Sequence, residues 1–317
     1  MPVTIRDVEA ARDVIAPFIH RTPLLSSRSL GDRIGASAWL KAESLQVTGS
    51  FKARGAAYAV SRLPADARTR GVVTLSGGNA GQAVAWAARR AGIPAVIVMP
   101  ESAARVNVDA IRAYGADIRF APDVTQLQPI VRELQAAGRY VVHPFDDEAV
   151  IAGQGTVGLE ILDDLPGVDV IVAGVGGGGL IGGIAVAAAA RRPGVRVVGV
   201  EAAGALAMKR SLEAGRPVSI DAVRTVAVGL GAPFAGQHTF PLVRDLVEDI
   251  AVVSDDEILD AVRFLAARAR LFVEPAGAAP VAALLQGRVR VRAGEQVVAV
   301  LSGANADLAR MAEWLAG

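Results

Sequence analysis

Short runs of apolar, mostly β-branched residues alternate along this chain with longer stretches in which alanine, leucine and arginine recur at helical spacing. The pattern predicts strands over 71–75, 95–99, 118–120, 140–142, 168–173, 195–200, 250–253 and 296–301. Between them it predicts helices over 79–91, 104–114, 124–137, 179–190, 255–269 and 305–316, two of them ended by a glycine, Gly92 and Gly115. Strands alternating with helices of this length imply an α/β fold of parallel sheets with helices on both faces. The stretch 216–238 breaks the rhythm with Pro217, Gly229, Gly231, Pro233 and Gly236. It reads as a long ordered loop near a site or an interface, and equally as a surface connection. No internal repeat or low-complexity tract interrupts the alternation.

Composition narrows the class. A length of 317 residues suits two domains or one large α/β domain. Hydrophobic residues make up 52% of the chain but aromatics only 4%, so the core is alanine, valine, leucine and isoleucine. The 33 basic and 32 acidic residues nearly cancel and form no basic stripe, which argues against a nucleic-acid partner. The most apolar stretch, 181–190, is broken by glycines and runs into Arg191 and Arg192, so no membrane span is expected. The start, Thr4 to Glu9, reads as a charged helix start rather than a signal peptide. The absence of cysteine removes disulfides, thiolate metal sites and cysteine nucleophiles together. A cytoplasmic enzyme or binding protein is the expected class.

Only three lysines, Lys41, Lys52 and Lys209, stand among the 33 basic residues. Arginine supplies charge but keeps its proton, whereas a lysine amine can lose one and condense with an aldehyde. Lys52, in Thr48-Gly49-Ser50-Phe51-Lys52-Ala53-Arg54-Gly55-Ala56, is therefore a candidate nucleophile; by itself it also reads as an ordinary surface lysine beside a loop. Three glycine-marked loops follow predicted strands. Ser76-Gly77-Gly78-Asn79-Ala80-Gly81-Gln82 opens a helix and leaves backbone N–H groups free for a ligand, or is merely capped by Ser76 or Asn79. Gly174-Val175-Gly176-Gly177-Gly178-Gly179-Leu180 can converge several N–H groups on a phosphate. Its Gly174, Gly176 and Gly179 also match a dinucleotide fingerprint, and Glu201 falls where a ribose-binding acid would stand. Leu301-Ser302-Gly303-Ala304-Asn305 is the third, with Ser302 a ligand contact or a helix cap. Such loops lie at the carboxyl ends of strands, where open α/β sheets bind ligands. A phosphate cradle, a Schiff-base lysine and polar groups on one rim suit a phosphorylated aldehyde, for which pyridoxal 5'-phosphate is the fit. NAD would explain the second loop and leave Lys52 unexplained.

These motifs resemble the fold-type II pyridoxal-phosphate enzymes, in the branch of threonine/serine dehydratases (ammonia-lyases) and serine racemases. The resemblance starts at His20-Arg21-Thr22-Pro23-Leu24 and passes through Lys41-Ala42-Glu43-Ser44-Leu45-Gln46 and the Lys52 motif. It continues through His143-Pro144-Phe145-Asp146-Asp147, Ile151-Ala152-Gly153-Gln154-Gly155-Thr156 and Glu274-Pro275-Ala276-Gly277-Ala278 to Ser302, nearly the whole length. It implies a large cofactor-binding domain of residues 1–47 and 144–317, with a small mobile domain of residues 48–143 inserted in it and closing over the substrate. It implies that Lys52 holds the cofactor as a Schiff base and moves the Cα proton, with Phe51 against the ring and Asn79 on the ring hydroxyl. Gly176, Gly177, Gly178, Gly179 and Leu180 would bind the phosphate, and Ser302 the pyridine nitrogen. Ser76, Gly77, Gly78, Asn79 and Ala80, with Gln154, would hold the amino-acid substrate. A homodimer or homotetramer is implied as well.

A neutral Ser302 hydroxyl does not strongly favour a protonated ring nitrogen, so β-elimination is expected over reactions that need a long-lived carbanion. The expected reaction is loss of water from L-threonine or L-serine to give a 2-oxo acid and ammonia. The chain also departs from the family pattern. Racemases of this branch carry a second serine where Gly77 stands, so a poor racemase is expected. Ala80 replaces a usual histidine, which admits a bulkier β-hydroxy amino acid of the phenylserine or hydroxyaspartate type. Val228 replaces a common acid in Thr225-Val226-Ala227-Val228-Gly229. Metal-binding relatives would match Glu201 and Ala205 but need an aspartate where Ala207 stands, so a weak metal site or none is expected. The chain stops soon after the Ser302 motif, so no appended regulatory domain is expected.

Overall fold

The computed structural model describes residues 3–316 and builds ten strands into two sheets. In chain order these are β1 (Leu24–Ser26), β2 (Ser37–Lys41), β3 (Val72–Leu75), β4 (Ala95–Pro100), β5 (Asp117–Ala121), β6 (Tyr140–Val141), β7 (Val170–Gly174), β8 (Arg196–Ala202), β9 (Asp249–Val253) and β10 (Gln296–Val300). The larger sheet runs β1-β2-β10-β7-β8-β9, parallel except for the edge strand β1; the smaller runs β5-β4-β3-β6, all parallel. Strands β7 (VIVAG) and β10 (QVVAV) are continuous apolar runs because helices cover both their faces.

All eight strands read from the pattern are present, with ends shifted by one or two residues. Two more, β1 and β2, escaped it. The β2 segment SAWLK carries no β-branched residue, and it is the parallel register with β10, Val298 opposite Trp39, that makes it a strand. The helix Glu148–Asp164 also escaped, because Gly153, Gly155 and Gly158 read as helix breakers. Each has a packing reason. A Cβ on Gly155 would lie 2.9 Å from the Gly183 carbonyl, one on Gly158 3.0 Å from the Ala187 Cβ, and one on Gly153 2.6 Å from the Gly55 Cα. The glycines let this helix sit backbone to backbone against the helices Gly179–Arg191 and Lys52–Ser61.

The last helix begins at Leu308 and not at residue 305, because the Asn305 amide is engaged with Thr48 and Asn79. The helix expected over 255–269 is α-helical for Asp255–Phe264 and closes in a π turn, Leu265–Ala269. Two apolar cores flank the larger sheet and a third lies under the smaller one. The helix Lys52–Ser61 gives Ala57 and Tyr58 to the first core and Ala56, Ala59 and Val60 to the third, so Lys52 stands at the head of the element that joins the two sheets. No helix among the described residues is long and apolar enough to cross a membrane.

Candidate active site

Lys52 is the first residue of its helix, and its Nζ donates to the Pro144 carbonyl at 2.6 Å. The same amine lies 5.0 Å from the centre of the Phe51 ring. Burial pushes its pKa down to about 8. Among the described residues no carboxylate acts on it to hold the proton, so the neutral amine forms readily. Behind it, Arg54 is fully buried and bonds Glu43 (2.8 Å), Glu160 (2.7 Å) and Thr156 (3.1 Å), while Lys41 bonds Glu160 at 2.6 Å. Two cations and two carboxylates thus neutralise one another and pin the first turn of the Lys52 helix to strand β2 and the helix Glu148–Asp164.

The glycine loop after β7 has its side-chain directions closed off. A Cβ on Gly177 would fall 2.1 Å from the Phe145 ring, and one on Gly178, at φ +93°, 2.6 Å from the Met208 Cε. Thr239 donates its hydroxyl to the Gly177 carbonyl at 2.5 Å. Among the described residues, none of the N–H groups of Gly176, Gly177, Gly178, Gly179 and Leu180 donates to another protein group. Four of these five residues are buried. Buried, unpaired donors at a helix N-terminus form an anion cradle, and a phosphate group fits it.

The loop Ser76–Asn79 faces this sheet from β3. Ser76 Oγ accepts from the Gly78 N–H at 3.2 Å, and Asn107, itself held by Gln82, donates to the Gly77 carbonyl at 2.8 Å. Among the described residues, the N–H groups of Gly77, Asn79 and Ala80 have no protein partner, as a carboxylate-holding loop requires. The three glycine-marked loops therefore do end strands, but on two sheets and not on one rim. They meet through side chains: Asn305 donates to Asn79 Oδ1 at 2.7 Å, and Asn79 Nδ2 donates to Glu274 at 2.6 Å. Ser302 is buried, its carbonyl accepting from the Phe51 N–H at 3.1 Å and its hydroxyl without a partner among the described residues.

A small cavity lies beside Lys52, walled by Ala56, Ala80, Val84, Val142 and His143 and floored by Gln154. The Gln154 amide is buried and, among the described residues, neither of its polar atoms has a partner. His143 accepts at Nδ1 from the Phe145 and Asp146 N–H groups, and burial pushes its pKa down to about 4, so it stays neutral. Glu201 does not face a ligand. It is fully buried, accepts from the Met208 and Lys209 N–H groups at 2.8 and 3.0 Å, and so caps the helix Ala207–Ala214. This leaves no open acid for a ribose, and among the described residues no three His, Asp or Glu side chains cluster as metal ligands; Ala205 adds only a backbone carbonyl.

The irregular stretch after residue 216 bears on the site. Its Gly229 carbonyl lies 3.3 Å from the position of a Gly176 Cβ, and Asp146 accepts from the Gln237 and His238 N–H groups at 2.8 and 2.7 Å. Residues with no role read from sequence are Glu274, Asn305, Phe145, Thr239 and the Pro144 carbonyl. Pro144, Phe145, Glu274 and Asn305 lie in the quoted motifs, and Glu274 also stands out as the acid opening the apolar helix Pro275–Leu285.

Two largely parallel sheets joined by the Lys52 helix, a desolvated amine at the head of that helix and a glycine-built anion cradle define an enzyme that carries a phosphorylated aldehyde. The pyridoxal-phosphate dependent enzyme family matches residues 15–303, and the chain belongs to it. It is 41% identical to the L-threonine ammonia-lyase of Geobacter sulfurreducens, over 97% of this chain and 76% of that protein. It is 39% identical to a serine racemase of Oryza sativa subsp. indica, over 96% of this chain and 91% of that one. Among solved structures, maize serine racemase superposes with a TM-score of 0.94 at 36% identity, covering 99% of this chain and 97% of that chain. A threonine deaminase from T.th. superposes at 0.91 and 42% identity, covering 96% of this chain and 99% of that chain.

Proposed function

We propose that this chain is a pyridoxal-phosphate dependent lyase that removes water from L-threonine or L-serine and releases a 2-oxo acid and ammonia. The observation that carries the reading is Lys52: a half-buried lysine whose amine has its pKa lowered to about 8 by desolvation, at the head of the helix that joins the two sheets. The relatives named threonine ammonia-lyase and threonine deaminase, near 40% identical over almost the whole chain, support the same activity.

Pyridoxal 5'-phosphate, when bound, supplies an electron-withdrawing ring conjugated to the substrate Cα. The residues do the rest. Lys52 would hold the cofactor covalently and then take the Cα proton. The amides from Gly176 to Leu180 would hold the phosphate, and Phe51 would pack on the ring. Asn79 would meet the ring oxygen, and Ser302 the ring nitrogen as a neutral hydroxyl. The N–H groups of Gly77, Asn79 and Ala80, with Ser76, hold the substrate carboxylate, while Gln154 offers its unpaired amide beside the substrate. The electrons left at Cα would expel the β-hydroxyl, which leaves as water on taking up one proton, balanced by the one Lys52 removes from Cα. The enamine that remains would tautomerise to an imine, and addition of water to it gives the 2-oxo acid and ammonia. Residues 48–143 act as the smaller unit that closes over the substrate.

One feature favours elimination over the racemase reading: Gly77 has no side chain to carry a proton on the face opposite Lys52. A second reading, a longer β-substituent, rests on the small cavity bordered by Ala80. Purified protein loaded with the cofactor is to be offered L-threonine, L-serine, phenylserine and hydroxyaspartate, with 2-oxo acid release followed. Release from threonine or serine supports the reading, and its absence from all four defeats it.

A further inference from the structure

Glu274 is a buried acid that the reaction above does not use. It is 7% exposed, and the groups acting on it are burial, the Asn79 side chain and the Asn305 backbone; no charged side chain is among them. An unpaired buried carboxyl is destabilising and calls for a function. The glycines around it make room: a Cβ on Gly303 would lie 2.6 Å from the Glu274 Oε1, and one on Gly229 3.5 Å.

The polarity of its hydrogen-bond chain is fixed from one end. The Thr48 carbonyl can only accept, so the Asn305 amide must turn its nitrogen towards it, at 2.7 Å. That same nitrogen donates to Asn79 Oδ1 at 2.7 Å, which makes Oδ1 the acceptor. Asn79 Nδ2 is thereby set against Glu274 at 2.6 Å, with one hydrogen committed and one left over. We propose that Glu274 is a positioning residue for the cofactor ring, acting through Asn79 so that the amide offers the ring oxygen a donor and never an acceptor. The proposal rests on the reading that Asn79 meets that oxygen.

The carboxyl also makes the arrangement pH-sensitive. Burial raises its pKa to about 7. Above that pH the Asn79 bond is charge-assisted; below it, neutral and weaker. The difference between charged and neutral hydrogen bonds corresponds to about 5- to 10-fold in binding.

The test is titration of apoprotein with pyridoxal 5'-phosphate between about pH 6 and 8.5, bracketing the raised carboxyl value. It is read as the dissociation constant and as the visible absorbance, beside the melting temperature of the apoprotein. Wild type is expected to tighten its hold and change its spectrum through about pH 7. Glu274→Gln, which still accepts from Asn79 but cannot ionise, is expected to lose the step near 7, keep only the rise through about 8 that Lys52 supplies, and bind about 5- to 10-fold more weakly above it, with a melting temperature no lower than that of wild type. A Glu274→Gln protein with the wild-type step and affinity overturns the proposal. Should Glu274→Gln not fold, Asn305→Ala decides: a shifted spectrum supports the chain of bonds, and a wild-type spectrum overturns it. Asn79→Ala separates the two readings, since an unchanged spectrum there removes Asn79 from the ring altogether and this proposal with it.

Discussion

The Lys52 amine sits 2.6 Å from the carbonyl of Pro144, a residue 92 positions away. That carbonyl orients the amine, while the apolar surroundings lower its pKa to about 8. Loading of the cofactor requires the neutral amine. With an ordinary lysine pKa of about 10.4, only a small fraction would be neutral at about pH 8; here half is. The rate at which apoprotein takes up pyridoxal 5'-phosphate should rise with pH and level off above about 8 to 9, as stopped-flow absorbance would record. A rate still climbing steeply at about pH 10, near the ordinary lysine value, contradicts the lowered pKa.

Replacing Lys52 should separate binding from chemistry. In Lys52→Ala the covalent anchor and the Cα base go together, and turnover should fall by about 10³-fold or more. Borohydride treatment of wild type followed by peptide mass analysis should place the reduced cofactor on Lys52, and no such adduct should form in the variant.

The buried charges behind Lys52 are a stability element. Arg54→Met leaves Glu43 without a cation and Glu160 with Lys41 alone. Breaking such a set costs about 3–5 kcal/mol. Urea denaturation should show a lower midpoint, with the slope unchanged if the native compactness is kept.

Gly177→Ala puts a Cβ 2.1 Å from the Phe145 ring. The ring must move, and the expected cost is about 1–3 kcal/mol. Cofactor affinity should drop alongside the melting temperature, since the displaced segment is the phosphate cradle itself. Calorimetry of apo- and holoprotein measures both.

Glu201 gives a pH signature of its own. Burial raises its pKa to about 7, so the folded state binds its proton more tightly than the unfolded chain does. Its contribution is fully present below about pH 4.3, the unperturbed glutamate value, and is lost as pH rises through about 7. The loss of stability between about pH 5 and 7.5 should therefore be shallower in Glu201→Gln than in wild type, as denaturant midpoints across that range would report.

Racemisation is the counter-test of the Gly77 assignment. Incubation with L-serine should give pyruvate and ammonia with D-serine at or below about 1% of the pyruvate, the scale set by losing a proton-transferring group worth about 10²-fold or more. Chiral chromatography measures it.

The sequence by itself determined the alternation of strands and helices, the loops that carry the ligand groups and the lysine among arginines. Those are local signals: β-branched runs, glycine spacing, and a residue type whose chemistry differs from its substitute. Tertiary structure decided what has no local signal. Strand β2 exists because β10 pairs with it, and the glycine-rich helix Glu148–Asp164 exists because two neighbouring helices leave no room for a Cβ. Glu201 looked like a ribose acid by position and is a buried helix cap by contact. Glu274, Asn79 and Asn305, separated by up to 226 positions, become one hydrogen-bonded chain only when the two sheets face each other. Spacing along the chain cannot encode that meeting, because the distance between two loops on different sheets is set by the packing of the helices between them.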